Sequence, residues 1–290
     1  MNEMDGAGEM LLPDDLKKKV REISESARLE LVSFAMETLS EACDDADGEE
    51  GSPMDDWRRE NREREDAAFS SFSAADIRQF IKARRGRHAA EKIDNAVWKA
   101  LIETEVGPYA ARSRFNLALD ETLMPSFAFD RFGMSSTIMP DGREIFIAGE
   151  HEDYYDPDFY IYNDVIVRDP SGAIDIYGYP ETVFPPTDFH SATRIESDIL
   201  IIGCLGYQEQ REEKTTPVFL LNCETFEIRK VKTTGKGPGW IHNHKVSSSP
   251  REEYLTVVGG LRHRDSERDL IANEKRYRLD LKTWHWTRHS

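Results

Sequence analysis

One eleven-residue segment of the chain concentrates side chains that could do chemistry. Between positions 150 and 160 it carries one histidine, five carboxylates and four aromatic rings. Histidine and carboxylate side chains are ligands for Zn²⁺ and other divalent metals, and either can act as an acid or a base in catalysis. Aromatic side chains are frequent anchors of protein-binding surfaces. The candidate residues in this segment are His151, Glu152, Asp153, Tyr155, Asp156 and Asp158.

A second group of candidates lies in shorter segments further along the chain. His190 and His242 occupy what read as equivalent connections between repeated units, which favours a hydrogen-bonding role in the architecture over a catalytic one. The loop that begins at Leu261 adds cationic side chains. The candidates of this group are Asp188, His190, Trp240, His242, His244, Arg262 and His263.

These candidates belong to a unit that occurs three times in the second half of the chain. Each copy begins with a short apolar run that ends at Gly149, Gly203 or Gly259, and these glycines are 54 and 56 residues apart. A second apolar run, led by Val165, Phe219 or Tyr277, follows in each copy. A period of about 50 residues built from short strands is typical of the blades of a β-propeller.

Four strands can be predicted in each copy, separated by turn residues such as Pro140-Asp141-Gly142. The predicted strands are 135–139, 144–148, 164–167 and 174–177; then 192–194, 199–202, 218–221 and 226–231; then 245–247, 254–258, 277–279 and 284–288. Because such strands run antiparallel in order, the long second-to-third loops and the connections between copies must share one face. All candidate residues fall on that face, where function is expected.

Two aromatic pairs give the second and third copies an internal mark. Phe219 and Phe226 are seven residues apart, as are Tyr277 and Trp284, and a threonine precedes the second aromatic of each pair. We expect these rings to pack across the sheet and fix it to its neighbour.

This pattern resembles the kelch repeat over residues 129–290. The third copy is the most similar, with Gly259-Gly260, Tyr277, Asp280, Thr283 and Trp284, whereas the first copy lacks the aromatic pair. The resemblance implies a β-propeller fold and a protein-interaction function.

The first half of the chain is predicted to be helical. Residues 1–12 read as a disordered acidic lead, and 13–128 as an α-helical domain interrupted by a linker at 44–54. Ser73 and Asp76 form a capping-box pattern at the start of a helix that runs to Lys82. The predicted helices are 13–43, 56–69, 73–82 and 88–105, the last stopped by Gly107-Pro108.

A basic cluster between Lys82 and His88 stands out in this helical half. It could hold a phosphate or an acidic partner, or it could simply place cations at a helix C-terminus, which the helix dipole favours.

The overall composition excludes several classes of partner. The chain has 38 Lys and Arg against 55 Asp and Glu, a formal net charge of -17. This charge disfavours nucleic acid and anionic membranes, and no apolar run is long enough to span a bilayer. The three cysteines show no metal-binding or redox spacing, and no signal peptide is recognised, so a cytoplasmic location is predicted.

The predicted fold class is α+β by segments: an N-terminal α-helical domain followed by three four-stranded antiparallel kelch-like blades, 129–188, 189–241 and 242–290. Closed propellers have about 4–8 blades, so three form an open arc. A homodimer could complete a six-bladed ring, the helical half could cap the arc, or residues 107–130 could supply a partial blade.

Three functions remain open. The favoured one is a non-enzymatic scaffold that binds a protein partner through the face described above and needs no cofactor. The second is a divalent-cation site at His151, Glu152 and Asp153, although the loop matches no EF-hand. The third is a hydrolase-like enzyme, although no nucleophile elbow, phosphate loop or zinc-peptidase motif is present.

Overall fold

The computed structural model describes residues 53–117, 121–153, 156–249, 253–265 and 270–289. The chain divides into two compact units, 1–63 and 64–290. The predicted lead and the predicted helix 13–43 lie outside the described residues. So does the predicted linker, except for its last two residues, which begin the first described helix.

Four α-helices are described before the repeats begin. They are α1 (Pro53–Phe69), α2 (Ala74–Phe80), α3 (Ala96–Thr104) and α4 (Pro108–Arg114). The predicted capping box of α2 is confirmed, because the Ser73 hydroxyl accepts from the Asp76 N–H and the Asp76 carboxylate accepts from the Ser73 N–H. None of the described helices is long and apolar enough to cross a membrane.

The predicted helix from His88 to Glu105 is wrong in its first half. Residues Glu91–Lys92 form a short strand, β1, and α3 begins only after Asn95, whose side chain accepts hydrogen bonds from the N–H groups of Val97 and Trp98. Asparagine is a preferred N-cap, so the helix begins where its first amides find a partner. The predicted end of this helix before Gly107-Pro108 is confirmed, because α3 ends at Thr104, one residue before the predicted end. Pro108 then lies in the first turn of α4.

The repeats form three antiparallel sheets, and all twelve predicted strands are present to within two residues. The first sheet contains β2 (Ser135–Ile138), β3 (Glu144–Ile147), β6 (Val165–Arg168) and β7 (Ile174–Gly178). The second contains β8 (Ser191–Ile195), β9 (Asp198–Ile202), β10 (Val218–Asn222) and β11 (Ile228–Lys230). The third contains β14 (Lys245–Ser248), β15 (Tyr254–Val258), β18 (Arg276–Asp280) and β19 (His285–His289).

Shorter strands extend or link these sheets. Strand β1 pairs antiparallel with β7, and β12 (Thr234–Gly235) pairs parallel with β19. A hairpin follows β3, and a three-stranded sheet lies beside the third repeat. The hairpin is β4 (Glu150–Asp153) with β5 (Asp156–Ile161), and the small sheet is β13 (Ile241–His242), β16 (Leu261–Arg262) and β17 (Ile271–Ala272).

The second sheet is buried on both of its faces. Ile199 and Ile201 pack in a cluster shared with the first sheet, whereas Leu200 and Ile202 pack in a cluster shared with the third. All four side chains are at most 1% exposed. A strand buried on both faces has no polar side to show, which explains its continuous apolar run.

Helices cover the other face of the first sheet. Phe146, Ile166 and Ile176 belong to the same buried cluster as Trp98 of α3 and Phe127. Trp98 and Phe127 stack with ring centroids 4.2 Å apart. The helical segment from residue 64 onward and the first sheet therefore share one core.

The predicted packing explains only part of the pattern formed by the two aromatic pairs and their threonines. Phe226 stacks on Tyr177 of the first sheet at 4.1 Å, so the predicted packing onto the neighbouring sheet is confirmed for this ring. The threonine that precedes the second aromatic residue has a different role, because it stabilises the turn between the third and fourth strands. The hydroxyl of Thr225 donates to the Asn222 side chain, and that of Thr283 to the Asp280 carboxylate.

The strand register also corrects the alignment of the glycines. Ile147, Ile202 and Val258 each pair with the first residue of their sheet's first strand, so they are equivalent. Ala148-Gly149 then corresponds to Gly259-Gly260, and all four residues have positive φ, from 55° to 91°. The first copy thus keeps the left-handed turn of the third, with alanine in place of the first glycine.

The basic cluster at Lys82–His88 lies beyond the end of α2 and is used within the fold. Arg84 pairs with Glu91 at 2.9 Å and Arg85 pairs with Glu181 at 2.9 Å. The Arg85 guanidinium also lies 4.1 Å from the centre of the Tyr160 ring. The next residue, Gly86, packs so closely on Gly178 that a Cβ there would lie 2.2 Å from the Gly178 carbonyl carbon.

Candidate functional site

The candidate site is built around the three segments that lead into the first strand of each sheet, here called connectors: residues 130–134, 186–190 and 240–244. Each connector pairs with the residues that follow the second strand of its own sheet. Phe132 bridges to Glu150, the Leu205 N–H donates to the Asp188 carbonyl, and β13 pairs with β16. The connectors and the second-to-third loops therefore share one face, as predicted, and we call it the connector face.

A hydrogen-bonded ladder joins the three connectors. Its members are Gly133, Phe189 and Asn243, each two residues before a first strand, and their φ angles are 63°, 47° and 52°. The Phe189 N–H donates to the Gly133 carbonyl at 3.0 Å, and the Asn243 N–H donates to the Phe189 carbonyl at 2.9 Å. A left-handed residue at this place turns the backbone so that successive connectors bond to each other.

Serine–histidine hydrogen bonds run alongside this ladder. The Ser135 hydroxyl lies 2.7 Å from Nε2 of His190, and the Ser191 hydroxyl lies 2.8 Å from Nε2 of His244. Each pair joins the first residue of one sheet to the residue just before the next sheet. The equivalent of His190 is therefore His244, and the predicted equivalence with His242 is wrong, because Asp188 is the residue that corresponds to His242.

These serine–histidine pairs lack the third member of a catalytic triad. Nδ1 of His190 and of His244 is sealed from solvent and has no hydrogen-bond partner among the described residues, so no described carboxylate orients either ring. Burial lowers the pKa of His190 to about 3 and that of His244 to about 4, which keeps both rings neutral. The same pair at two successive junctions has the geometry of an architectural contact.

His151 and Asp158 come together beneath the β4–β5 hairpin. Nδ1 of His151 lies 2.8 Å from the Asp130 carbonyl, so it carries a proton, and Nε2 faces Oδ2 of Asp158 at 3.4 Å. Both residues are buried.

The other predicted residues of this segment are more dispersed. Glu152 is exposed, Asp153 and Asp156 pair through their backbones, and Tyr155 lies outside the described residues. Over the residues whose placement is given, no three His, Cys, Asp or Glu side chains form a group that could hold a metal ion. The side chain of Asp153 is not among those described, so the predicted ligand set of His151, Glu152 and Asp153 stays a prediction.

Asp188 and Trp240 hold the loop that follows β9. The Asp188 carboxylate accepts from the Gly206 N–H at 2.6 Å, and burial raises its pKa. The Trp240 indole N–H donates to the Leu205 carbonyl at 2.9 Å, and only 6% of this residue is exposed. Trp240 therefore serves the fold and offers little surface to a partner.

His242 is also buried, at 3% exposure, with its ring 6.4 Å from that of Phe189. Burial and, to a lesser extent, Arg211 lower its pKa to about 4. Arg262 and His263 line a separate cleft, which is described below.

The structure adds exposed apolar residues that the sequence prediction missed. Phe132 is 63% exposed and Phe159 is 45% exposed, and the Phe159 ring packs edge-on against Tyr207 at 5.8 Å. Phe132 immediately follows a buried arginine in the connector, and that pattern does not reveal which of the two neighbours faces solvent.

Carboxylates surround this apolar surface. Asp130 and Glu152 are exposed, and Glu150 is half-buried, with its pKa raised by burial and by the nearby Asp188 and Glu152. A cavity of about 390 Å³ opens beside Phe132 and is lined by Glu105, Phe129, Asp130, Arg131 and Met134. The first connector thus combines an exposed ring with an acidic recess.

No protein-family model matches the chain, and no curated protein gives a significant match to it.

Proposed function

We propose that this chain is a protein-interaction module in which three kelch-like blades form an open propeller arc, and that the first connector is its binding surface. The partner is a protein segment that presents an apolar side chain together with a lysine or arginine. The observation that carries the proposal is Phe132, an aromatic side chain that is 63% exposed at the centre of the first connector.

The backbone under Phe132 is held rigidly, which lowers the entropic cost of binding. Its neighbour Arg131 is buried and makes a two-pronged ion pair with Asp164, with the Nη2–Oδ2 distance 3.0 Å. The same guanidinium lies 3.4 Å from the centre of the Tyr162 ring and donates to the Ala148 carbonyl. Phe132 itself exchanges backbone hydrogen bonds with Glu150.

The charge around Phe132 favours a cationic partner. Asp130, Glu150 and Glu152 lie on the same connector and its paired hairpin. Glu105, which lines the adjacent recess, lies 3.6 Å from Arg168, so the proposal rests on the first three carboxylates. Among the described residues that line this recess the only cation is Arg131, which is already paired with Asp164. Complementary charge raises the rate and the specificity of association more than the affinity, so binding should weaken in high salt.

The arc is proposed to be capped by its helices, with no second copy needed to complete a ring. The shared core of Trp98, Phe127 and Ile166 supports this closure at the first sheet. A six-bladed homodimer would bury the outward face of the third sheet, where Thr256, Arg278 and Thr287 lie in one cross-strand row. Burying an arginine without a charged partner is unfavourable.

A selection experiment tests the proposed surface. A displayed random-peptide library would be selected on the intact chain, and enriched peptides measured against Phe132→Asp and against a matched control, Phe80→Asp. Phe80 is 43% exposed on α2 and plays no part in the proposal.

We expect enriched peptides that pair an aromatic or aliphatic residue with lysine or arginine. They should bind Phe132→Asp about tenfold or more weakly, as for a typical interface anchor, and bind Phe80→Asp as they bind the unaltered chain. Equal loss in both variants, or enrichment of acidic peptides, would contradict the proposal.

A further inference from the structure

A basic cleft lies at the third sheet of this acidic protein, apart from the residues used in the proposed function. Its volume is about 600 Å³, within the range of small-ligand sites. Among the residues that the structure describes, six lysines or arginines and one carboxylate line it. The cations are Lys214, Lys236, Arg262, Arg264, Lys275 and Arg288, and the carboxylate is Glu213.

Two of these lysines stand on backbone that is fixed by close packing or by hydrogen bonds. Lys236 lies between Gly235, where a Cβ would meet the Trp286 carbonyl at 2.3 Å, and Gly237, where it would meet the Thr216 hydroxyl at 2.7 Å. The glycines are thus explained by packing, and their effect is to hold the Lys236 backbone in place while its side chain is exposed.

Lys275 is fixed by hydrogen bonds. The side chain of Asn273, itself buried, donates to the carbonyls of Gly259 and Lys275 and accepts from the Lys275 N–H. The exposed lysine therefore also projects from a constrained backbone.

Arg262 is only partly satisfied by the protein. It donates through Nη1 to the Pro238 carbonyl at 3.1 Å, but its Nε is sealed from solvent and has no hydrogen-bond partner among the described residues. Glu213, which approaches Arg264 at 4.0 Å, is the only carboxylate among the described lining residues. Asp265, which is not a lining residue, lies 3.1 Å from the His263 ring. Among the described lining residues cations outnumber carboxylates six to one, so these side chains give the cleft a positive lining.

We infer that this cleft binds a small molecule carrying a phosphate chain. Arginine forks and lysine ammonium groups are the side chains that recognise phosphate oxygens, and several of them converge here from three separate loops. The volume suits a molecule of nucleotide size. The net charge of -17 opposes a long polyanion, which would have to pass the rest of the acidic surface.

Calorimetric titration with inorganic tripolyphosphate and with adenosine triphosphate, which carry equal numbers of phosphates, tests the inference on the intact chain. The cleft variant is Lys236→Ala/Lys275→Ala, and the control is Lys230→Ala/Lys232→Ala, which removes the same charge from exposed positions outside the cleft. Because all four lysines are exposed, both variants should keep the melting temperature of the unaltered chain.

We expect both probes to bind, with about tenfold or greater loss of affinity in the cleft variant and no change in the control. Equal affinity for the two probes would identify the phosphate chain alone as the ligand, and tighter binding of the triphosphate would identify an organic phosphate ester. The inference is overturned if neither probe binds, if both variants lose affinity equally, or if a glutamate oligopeptide binds the cleft as tightly as the phosphates.

Discussion

The outward faces of the first and third sheets differ in a way that the repeats alone do not explain. On the first sheet, Phe146, Ile166 and Ile176 form a cross-strand row that is at most 8% exposed beneath the helices. On the third sheet, the outward row is Thr256, Arg278 and Thr287. One end of the stack is apolar and covered, and the other is polar.

The polar end is a local departure from a shared pattern. Thr256 is equivalent to Ile145 of the first sheet and Leu200 of the second, which are both fully buried against the next sheet. Its partner Arg278 stands where Val167 and Leu220 stand in the other sheets, and its guanidinium lies 4.6 Å from the centre of the Tyr254 ring. The first two repeats therefore carry apolar residues that pack against the next sheet. The third repeat carries polar residues at the same positions.

The largest predicted effect is at the covered end. Trp98→Ala should destabilise the fold by about 3–5 kcal/mol, because it removes a buried ring stacked on Phe127 and leaves a cavity. Chemical denaturation followed by both tryptophan fluorescence and far-UV circular dichroism would measure it. Loss of helix with the sheets unfolding at an unchanged midpoint would show that the helices are not part of the same cooperative core.

The second prediction concerns pH at the junction between the sheets. His190, His242 and His244 have pKa values lowered by burial to between about 3 and 4, below the unfolded value of 6.5. Their contribution to stability is therefore complete above pH 6.5 and is lost as pH falls toward about 4. Each of these histidines should lower the free energy of unfolding by about 1.4 kcal/mol for every unit by which pH falls within that window.

The free energy of unfolding measured from pH 7 to pH 4.5 would check this slope. His244→Gln should make the slope shallower and leave a residual dependence from the other two rings. A slope unaffected by that change would mean that the ring is already accessible to protons in the folded chain.

A smaller effect is predicted for the two serine–histidine contacts. Ser191→Ala should cost about 1–3 kcal/mol, since it leaves a buried ring nitrogen without its partner. Ser135→Ala should cost a similar amount, because it makes the same contact at the other junction. Thermal melts of the two variants side by side would test the equivalence, and a cost at only one junction would contradict it.

The smallest effect is predicted at the polar end. Thr256→Ala should change stability by no more than about 0.5 kcal/mol, as for a surface substitution. Light scattering should give the mass of one chain for this variant and for the unaltered protein. A mass of two chains, lost on Arg278→Glu, would instead show that the polar face is an interface.

The strands could be predicted from sequence because the signals for them are local. Turn residues such as Asp169 and Asp280 bond to amides two to four residues ahead, and apolar runs of four or five residues lie between such turns. The start of α3 could not be predicted from helical periodicity alone, because β1 forms only by pairing with a strand more than 80 residues away.

The candidate site can be predicted less completely for a related reason. Exposure depends on which connector lies against which loop, so side-chain chemistry alone selects Trp240, His242 and His244 although they are buried. Sequence analysis does not select Phe132, because its exposure depends on the buried ion pair between its neighbour Arg131 and Asp164. The basic cleft unites side chains from three distant loops, and the sequence singles out only Arg262 and His263 among them.

The connector ladder gives the stack of sheets a direction. Phe189 donates its N–H to the carbonyl of Gly133, and Asn243 donates its N–H to the carbonyl of Phe189. The carbonyl of Asn243 is therefore the next acceptor along the ladder. A designed fourth repeat would have to be appended after the third, with its own left-handed residue donating to Asn243 and a serine placed at Lys245 to receive a new histidine. Because helices already cover the outward face of the first sheet, the third sheet is the end at which such a repeat could pack.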